Sequence, residues 1–294
     1  MNDAFALVGI RPQPVVLPPK KAKWYQGRPI LSMVLLAVIV LGCLVCELVM
    51  TKDPTYMDLQ NSAVAPCAEF LFGTDSMGRD IFSMIWYGGR VSLLIGALST
   101  VISTAIAIVF GAVSGCAPAW LDGLLMRLTE ILLSVPSLLV IVLLQAILGK
   151  ASVLTLSLVI GATSWTSIAK VVRTEVRQLR SSEYVIASKC MGGGFFHILR
   201  THLTPNFVPA IMFMVVMNIR SAMAAESTLS FLGIGLPLEV ISWGSMLSLA
   251  ENALLTKAWW IILIPGAFLV VTLLCITSLG NDLRKSISRK QSNL

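Results

Sequence analysis

Charge is scarce in this sequence. Of its 294 residues only 13% are Asp, Glu, Lys or Arg, against about 25% in an ordinary soluble domain, while 56% are hydrophobic and the mean hydropathy is +0.84. That balance excludes a soluble globular domain and points to an integral membrane protein. Histidine is rarer still: His197 and His202 are the only two. They are five residues apart with no cysteine or carboxylate set around them, a poor spacing for chelation, so no metal site is expected. The six cysteines make no disulfide framework. Cys43, Cys46 and Cys275 lie inside apolar runs, and Cys67 stands alone in a polar stretch. A phosphate-binding G-x-x-x-x-G-K-[ST] loop is also missing, since Gly149-Lys150 is followed by Ala151 and lacks the first glycine. No Ser/His/Asp set or carboxylate pair can be placed. The chain is therefore expected to have no catalytic residues, to bind no cofactor and to hydrolyse no ATP by itself.

Long apolar runs are what the sequence does have. Residues 29–50 make a run of about 20 residues, enough at about 1.5 Å per residue to cross a hydrocarbon core of about 30 Å. The run is too long for the apolar part of a cleaved signal peptide. Further runs at 91–116, 128–148, 153–168, 207–232 and 259–279 bring the total to about six spans. The cations set the orientation. Segments expected inside hold sixteen Lys and Arg: Arg11, Lys20, Lys21, Lys23, Arg28, Arg127, Lys170, Arg173, Arg177, Arg180, Lys189, Arg200, Arg284, Lys285, Arg289 and Lys290. Segments expected outside hold five: Lys52, Arg79, Arg90, Lys150 and Lys257. This positive-inside bias accounts for the formal net charge of +7 without invoking nucleic acid. It predicts a cytoplasmic N-terminal tail at 1–28, a first transmembrane helix at 29–50, an external loop at 51–89, a membrane core at 90–281 and a cytoplasmic C-terminal tail at 282–294. Gly111 and Gly115 form a small-xxx-small pair suited to close helix packing in lipid.

The stretch 181–209 is the longest polar interruption in the second half. Ser181 or Ser182 is expected to cap a short helix, with Glu183 suited to its positive end. The helix would continue through Val185, Ile186, Ala187 and Lys189, with Ala187 and Ser188 as a small face. Gly192, Gly193 and Gly194 would end it. A second short helix, 195–203, is expected to stop before Pro205. Two short helices around a glycine elbow, between two spans, make a rigid knob on the cytoplasmic side.

This stretch resembles the EAA loop of membrane subunits of bacterial ABC importers. Ala187, Ser188, Gly192 and Pro205 fall at the matching spacings, while Ile186 replaces the glutamate, His202 a hydrophobic residue and Thr204 the leucine. A second likeness is sharper. Gly73-Thr74-Asp75, Gly78-Arg79-Asp80 and then Gly88, Arg90, Ser92 and Leu93 resemble the corresponding segment of permeases for dipeptides, oligopeptides and nickel. Read by its residues alone, that loop is a glycine-punctuated cap in which Asp75, Arg79 and Asp80 could pair among themselves. Asp122 with Met126-Arg127 and Pro136 resembles another segment of the family, with Glu130 where aspartate is usual. Glu226 to Gly235, Trp243-Gly244-Ser245-Met246-Leu247 and the closing Gly280-Asn281-Asp282-Leu283-Arg284 match further ones in order. The proline-rich lead into Trp243 is reduced here to Pro237.

The resemblance implies an all-α integral membrane protein with the type I ABC importer permease fold and cytoplasmic coupling helices. It implies a multi-pass location in the bacterial inner membrane, a second permease as heterodimer partner, two cytosolic ATPase subunits that use ATP and Mg, and an external solute-binding protein. Within it, the coupling loop would be 181–206. Glu183, Tyr184, Ala187, Ser188, Gly192, Gly193 and Pro205 would dock the ATPase. Arg220 and Glu226 lie in or beside an apolar run, where a charge needs protein or water around it. Six residues apart on a helix, they sit about 240° apart and are not natural partners. They are expected either to face the translocation path or to hold another helix or subunit. A secondary transporter or channel working without an ATPase is the rival reading. It would place charges deep in the spans rather than in a capped cytoplasmic knob.

Overall fold

The computed structural model describes residues 29–149, 151–237, 239–249, 253 and 257–291. The expected N-terminal tail at 1–28, with its five cations, and Lys150 lie outside the described residues. Among those described, regular structure is helical, and extended pairing is limited to one isolated bridge between Thr74 and Asp80. The helices are α1 (Ile30–Leu44), α2 (Cys46–Val49), α3 (Ile81–Cys116), α4 (Ala119–Ser134), α5 (Ser137–Leu148), α6 (Val153–Thr163), α7 (Thr166–Leu179), α8 (Glu183–Cys190), α9 (Phe195–Ile198), α10 (Thr204–Phe231), α11 (Trp243–Leu247) and α12 (Trp260–Gln291).

The 36-residue helix α3 is the axis of the bundle. It contains no proline, and Asp80 caps its start by accepting from the Ser83 backbone N–H at 3.0 Å. It begins at Ile81, so the last residues of the expected loop 51–89 already belong to it. Small residues punctuate α3 and let its neighbours approach backbone to backbone. A Cβ on Gly96 would lie 2.6 Å from Met223 of α10, one on Gly111 2.6 Å from the Ala169 carbonyl of α7, and one on Gly115 2.7 Å from Val176 of α7. The pair Gly111 and Gly115 thus seats α7 closely, as expected of small residues in lipid, where burial of apolar surface supplies no drive. α10 packs antiparallel to α3, with Ser92 beside Glu226, Gly96 beside Met223 and Ser103 beside Asn218.

Of the six expected crossings, α3, α10 and α12 supply three and the bent pairs α4–α5 and α6–α7 up to two more. At 29–50, by contrast, the chain forms the 15-residue α1 and, past a break at Val45, the four-residue α2, shorter than a single spanning helix. α3, α10 and α12 are each long and apolar enough to cross a membrane, and each bent pair also passes as one broken span. The breaks are absent from the sequence reading. α4 meets α5 at 90° and α6 meets α7 at 48°. Pro136 causes the first: it lacks an N–H, and it pushes Val135 out of helical geometry to φ −92° and ψ 131°. Residues 282–291, expected as part of a terminal tail, continue α12.

The expectation of a helix stopping before Pro205 is corrected. From Phe195 to Phe231 the chain is one helical rod of 37 residues, about 55 Å long. A π-helical turn over Leu199–Leu203 lets it pass Pro205, and the Thr204 N–H reaches back to the Leu199 carbonyl. The wider turn accommodates a residue without an N–H, and the Asn206 side chain takes the His202 carbonyl at 2.6 Å.

Candidate functional site

The knob is built on α8. Its first turn is not capped by a serine hydroxyl as expected. Ser182 holds the N-cap position, but its hydroxyl donates backwards to the Leu179 carbonyl at 2.6 Å, and that of Ser181 donates to Gln178 at 3.0 Å. Both serines therefore finish α7, because the free carbonyls at its C-terminus lie within closer reach than the N–H groups ahead. Glu183 still stands in the first turn of α8, at the positive end of the dipole. The glycine elbow is as expected. The Gly193 N–H donates to Ser188 at 2.9 Å and the Gly192 N–H to Lys189 at 3.0 Å. This is a Schellman closure, with Gly192 left-handed at φ +86°.

Glu183, Tyr184, Ala187 and Gly192 are exposed, Ser188 and Gly193 are half-buried, and Pro205 is exposed on the adjoining rod. A cleft of about 470 Å³ lies between α8 and the rod, lined by Tyr184, Ala187, Ser188, Met191, His197 and His202 among others. Large apolar side chains stand out around it, Met191 at 88% and Phe196 at 82% exposure. The inner side of the knob is fixed, since Val185, Ile198, Leu203 and Phe207 are buried in one cluster with Val172 and Val176 of α7. Nothing lies within 4 Å of a Cβ added at Gly192. A side chain there would project from the elbow.

A charged clamp that the sequence signalled only as a motif holds the base of the knob. Asp122, 5% exposed, accepts from Ser114 of α3 at 2.6 Å, from both Nε and Nη2 of Arg173, and from Nη1 of Arg177 at 2.9 Å. Arg180 donates to the Gly115 carbonyl at 3.1 Å. One carboxylate thus ties α3, α4 and α7 together just before the chain enters α8.

Glu226 lies at the opposite end of the rod, buried at 0% exposure. Its carboxylate accepts from Ser242 at 2.8 Å, Ser230 at 3.0 Å, Ser92 at 3.2 Å and Ser227 at 3.3 Å. Arg220 is half-buried one and two-thirds turns earlier, and no ion pair joins it to Glu226. Its Nε is buried without a hydrogen-bond partner among the described residues. The structure therefore separates the two charges: Glu226 is enclosed by serines, and Arg220 keeps an unmet donor.

The loop before α3 is a closed clasp. Thr74, Asp75, Arg79 and Asp80 are all buried. Asp75 pairs with Arg79 at 2.7 Å and also takes the N–H groups of Met77 and Arg79. Asp80 does not join that pair; it caps α3 and receives the Thr51 hydroxyl at 3.1 Å. Gly73 and Gly78 both sit at φ +75°, where a glycine meets no steric penalty. Trp260 of α12 donates to the Thr74 carbonyl at 3.1 Å, fastening the clasp to the last span.

Among the described residues the chain is helical, with a knob at one end of the rod. Three of its helices are long and apolar enough to cross a membrane, or up to five spans if each bent pair counts as one. Residues 107–290 match the family model described as binding-protein-dependent transport system inner membrane component, and the chain belongs to that family. It is similar to the dipeptide transport system permease protein DppC of Bacillus subtilis (strain 168), with 35% identity over 232 residues, covering 79% of this chain and 72% of that one. It is also similar to the oligopeptide transport system permease protein OppC of the same organism, with 32% identity over 259 residues, covering 88% and 84%.

Proposed function

We propose that this chain is a permease subunit of an ATP-driven importer and forms, with a second permease, the path for di- or oligopeptides delivered by an external solute-binding protein. Two cytosolic ATPase subunits bind ATP and Mg and dock on the knob through Glu183, Tyr184, Ala187, Ser188, Gly192, Gly193 and Pro205. Both termini lie in the cytoplasm. ATP closes the ATPase pair, the knob moves with it, and the spans rock about the membrane midplane. The unmet donor of Arg220 supports a place beside the path or against the second permease, where water or protein supplies its acceptor.

The observation that carries this reading is the continuity of the knob with α10. A Schellman-closed helix, packed onto α7 and leading into a 37-residue rod, is the geometry of a lever. A secondary transporter, with no ATPase to engage, would place its charges deep in the spans rather than in a stiff capped knob outside the bilayer. Peptide is preferred over nickel or a nickel chelate because the relatives' names specify dipeptide and oligopeptide transport.

The test uses the whole complex in proteoliposomes with its binding protein. Gly192→Val forces a branched side chain to φ +86°, at a strain of about 1–2 kcal/mol or more, and places it on the docking face. ATP hydrolysis is expected to persist while dipeptide uptake falls at least about tenfold. Uptake at the wild-type rate would remove the docking role. Wild-type vesicles that accumulate nickel and not dipeptide would replace the substrate.

A further inference from the structure

Glu226 is the most deeply buried carboxylate among the described residues, and the docking reading leaves it without a task. Its surroundings are ordered in an unusual way. Three of its serine partners are each bonded on their other side to a backbone N–H of the return segment, residues 232–237 and 239–249, that follows α10. Ser92 donates to Glu226 and accepts from the Trp243 N–H at 3.1 Å; Ser242 donates and accepts from the Ser245 N–H at 3.0 Å; Ser230 donates and accepts from the Leu236 N–H at 3.3 Å. A hydroxyl has one proton and two lone pairs. A carboxylate, which only accepts, turns all three protons towards itself and leaves one lone pair of each hydroxyl to receive an N–H of the segment.

The segment's backbone is seated to match. A Cβ on Gly244 would lie 2.7 Å from the Ser227 Cα and 2.9 Å from Oε1 of Glu226. Trp243 is fully buried, and its Nε1 donates to the Ile85 carbonyl at 2.9 Å. The segment is therefore gripped by the end of the same rod whose other end carries the knob.

We propose that Glu226 is a positioning residue: through its three serine relays it fixes the return segment to α10, so that the segment moves as one body with the cytoplasmic knob and carries the motion to the binding-protein side. This rests on the docking reading above. It assigns Glu226 to coupling across the membrane and not to contact with the transported solute.

Glu226→Gln preserves shape and discriminates between these roles. The carboxamide brings a donor, so at least one relay serine must accept from it on its second lone pair and turn its proton away from the site, losing the acceptor that oriented it. In the reconstituted complex, hydrolysis without binding protein is expected to be unchanged, because the knob is untouched. Stimulation of hydrolysis by loaded binding protein, and uptake, are expected to fall about tenfold. Amide exchange at Leu236, Trp243 and Ser245 is expected to accelerate. Ser242→Ala, a smaller lesion that removes one relay, should give a partial loss with faster exchange confined to Ser245. Wild-type stimulation and uptake in Glu226→Gln would overturn the proposal, and so would loss of the unstimulated hydrolysis, which would place the residue in assembly. Normal uptake in Gly192→Val alone would sink the docking reading while leaving the exchange measurement as the test of the grip.

Discussion

At Asp122 a single carboxylate does what several apolar contacts do elsewhere. It receives two bonds from Arg173, one from Arg177 and one from Ser114. The forked Arg173 pair is the geometry that makes charge-assisted bonds strong. Arg173 keeps 23% side-chain exposure and Arg177 48%, so water screens the second cation more. Asp122→Asn is expected to destabilise this junction by about 1–3 kcal/mol, lowering the melting midpoint of the purified complex by about 2–4 °C per kcal/mol. Arg173→Ala should approach that loss and Arg177→Ala should fall well short of it. Equal midpoints for the two arginine variants would show that the fork is not what holds α4 to α7.

Among the elements, the rod from Phe195 to Phe231 and its π-helical turn matter most. A proline ahead of a span reads as a stop, because the residue before it is pushed out of helical geometry. Here Thr204 stays helical at φ −56° and ψ −48°. The extra residue in the π turn separates the carbonyls that would have clashed with the ring or lacked a donor. Pro205→Ala restores an N–H and permits an ordinary α turn, which would rotate the knob about the rod axis by about 100°. The protein should still reach the membrane, while uptake falls and hydrolysis continues. Uptake equal to wild type in this variant would mean that the π turn does not set the knob's angle.

For the whole molecule, the arrangement of cysteines offers a direct check of sidedness. Cys67 is exposed in the clasp before α3 and Cys190 is exposed on the knob, whereas Cys43, Cys46 and Cys275 are buried and Cys116 is half-buried. A membrane-impermeant maleimide applied to intact cells stripped of any outer barrier should label Cys67 and spare Cys190. Inverted vesicles should give the reverse. Labelling of Cys190 from outside would turn the molecule over and remove the knob from the reach of any cytosolic ATPase. The proposed motion also needs the two ends of α10 to be tied to different things, and they are: Val185 and Phe207 pack with α7 at one end, and Glu226 grips the return segment at the other.

The sequence by itself determined the class and the broad plan. Runs of apolar residues must cross a bilayer as helices because no water is there to satisfy the backbone, and the glycine elbow after α8 follows from the one residue type that accepts φ +86° without strain. Local chemistry was enough for those. Only the tertiary structure decided that Ser182 bonds backwards to Leu179, that the rod runs through Pro205, and that Asp80 caps α3 while Asp75 takes Arg79. It also decided that Glu226 faces serines from α3 and the return segment and not Arg220. Ser182, Asp80 and Asp75 choose among partners three or four residues away, which the backbone conformation of the folded chain decides, and Glu226 takes partners brought from distant positions. Spacing along the sequence does not set which one is nearest.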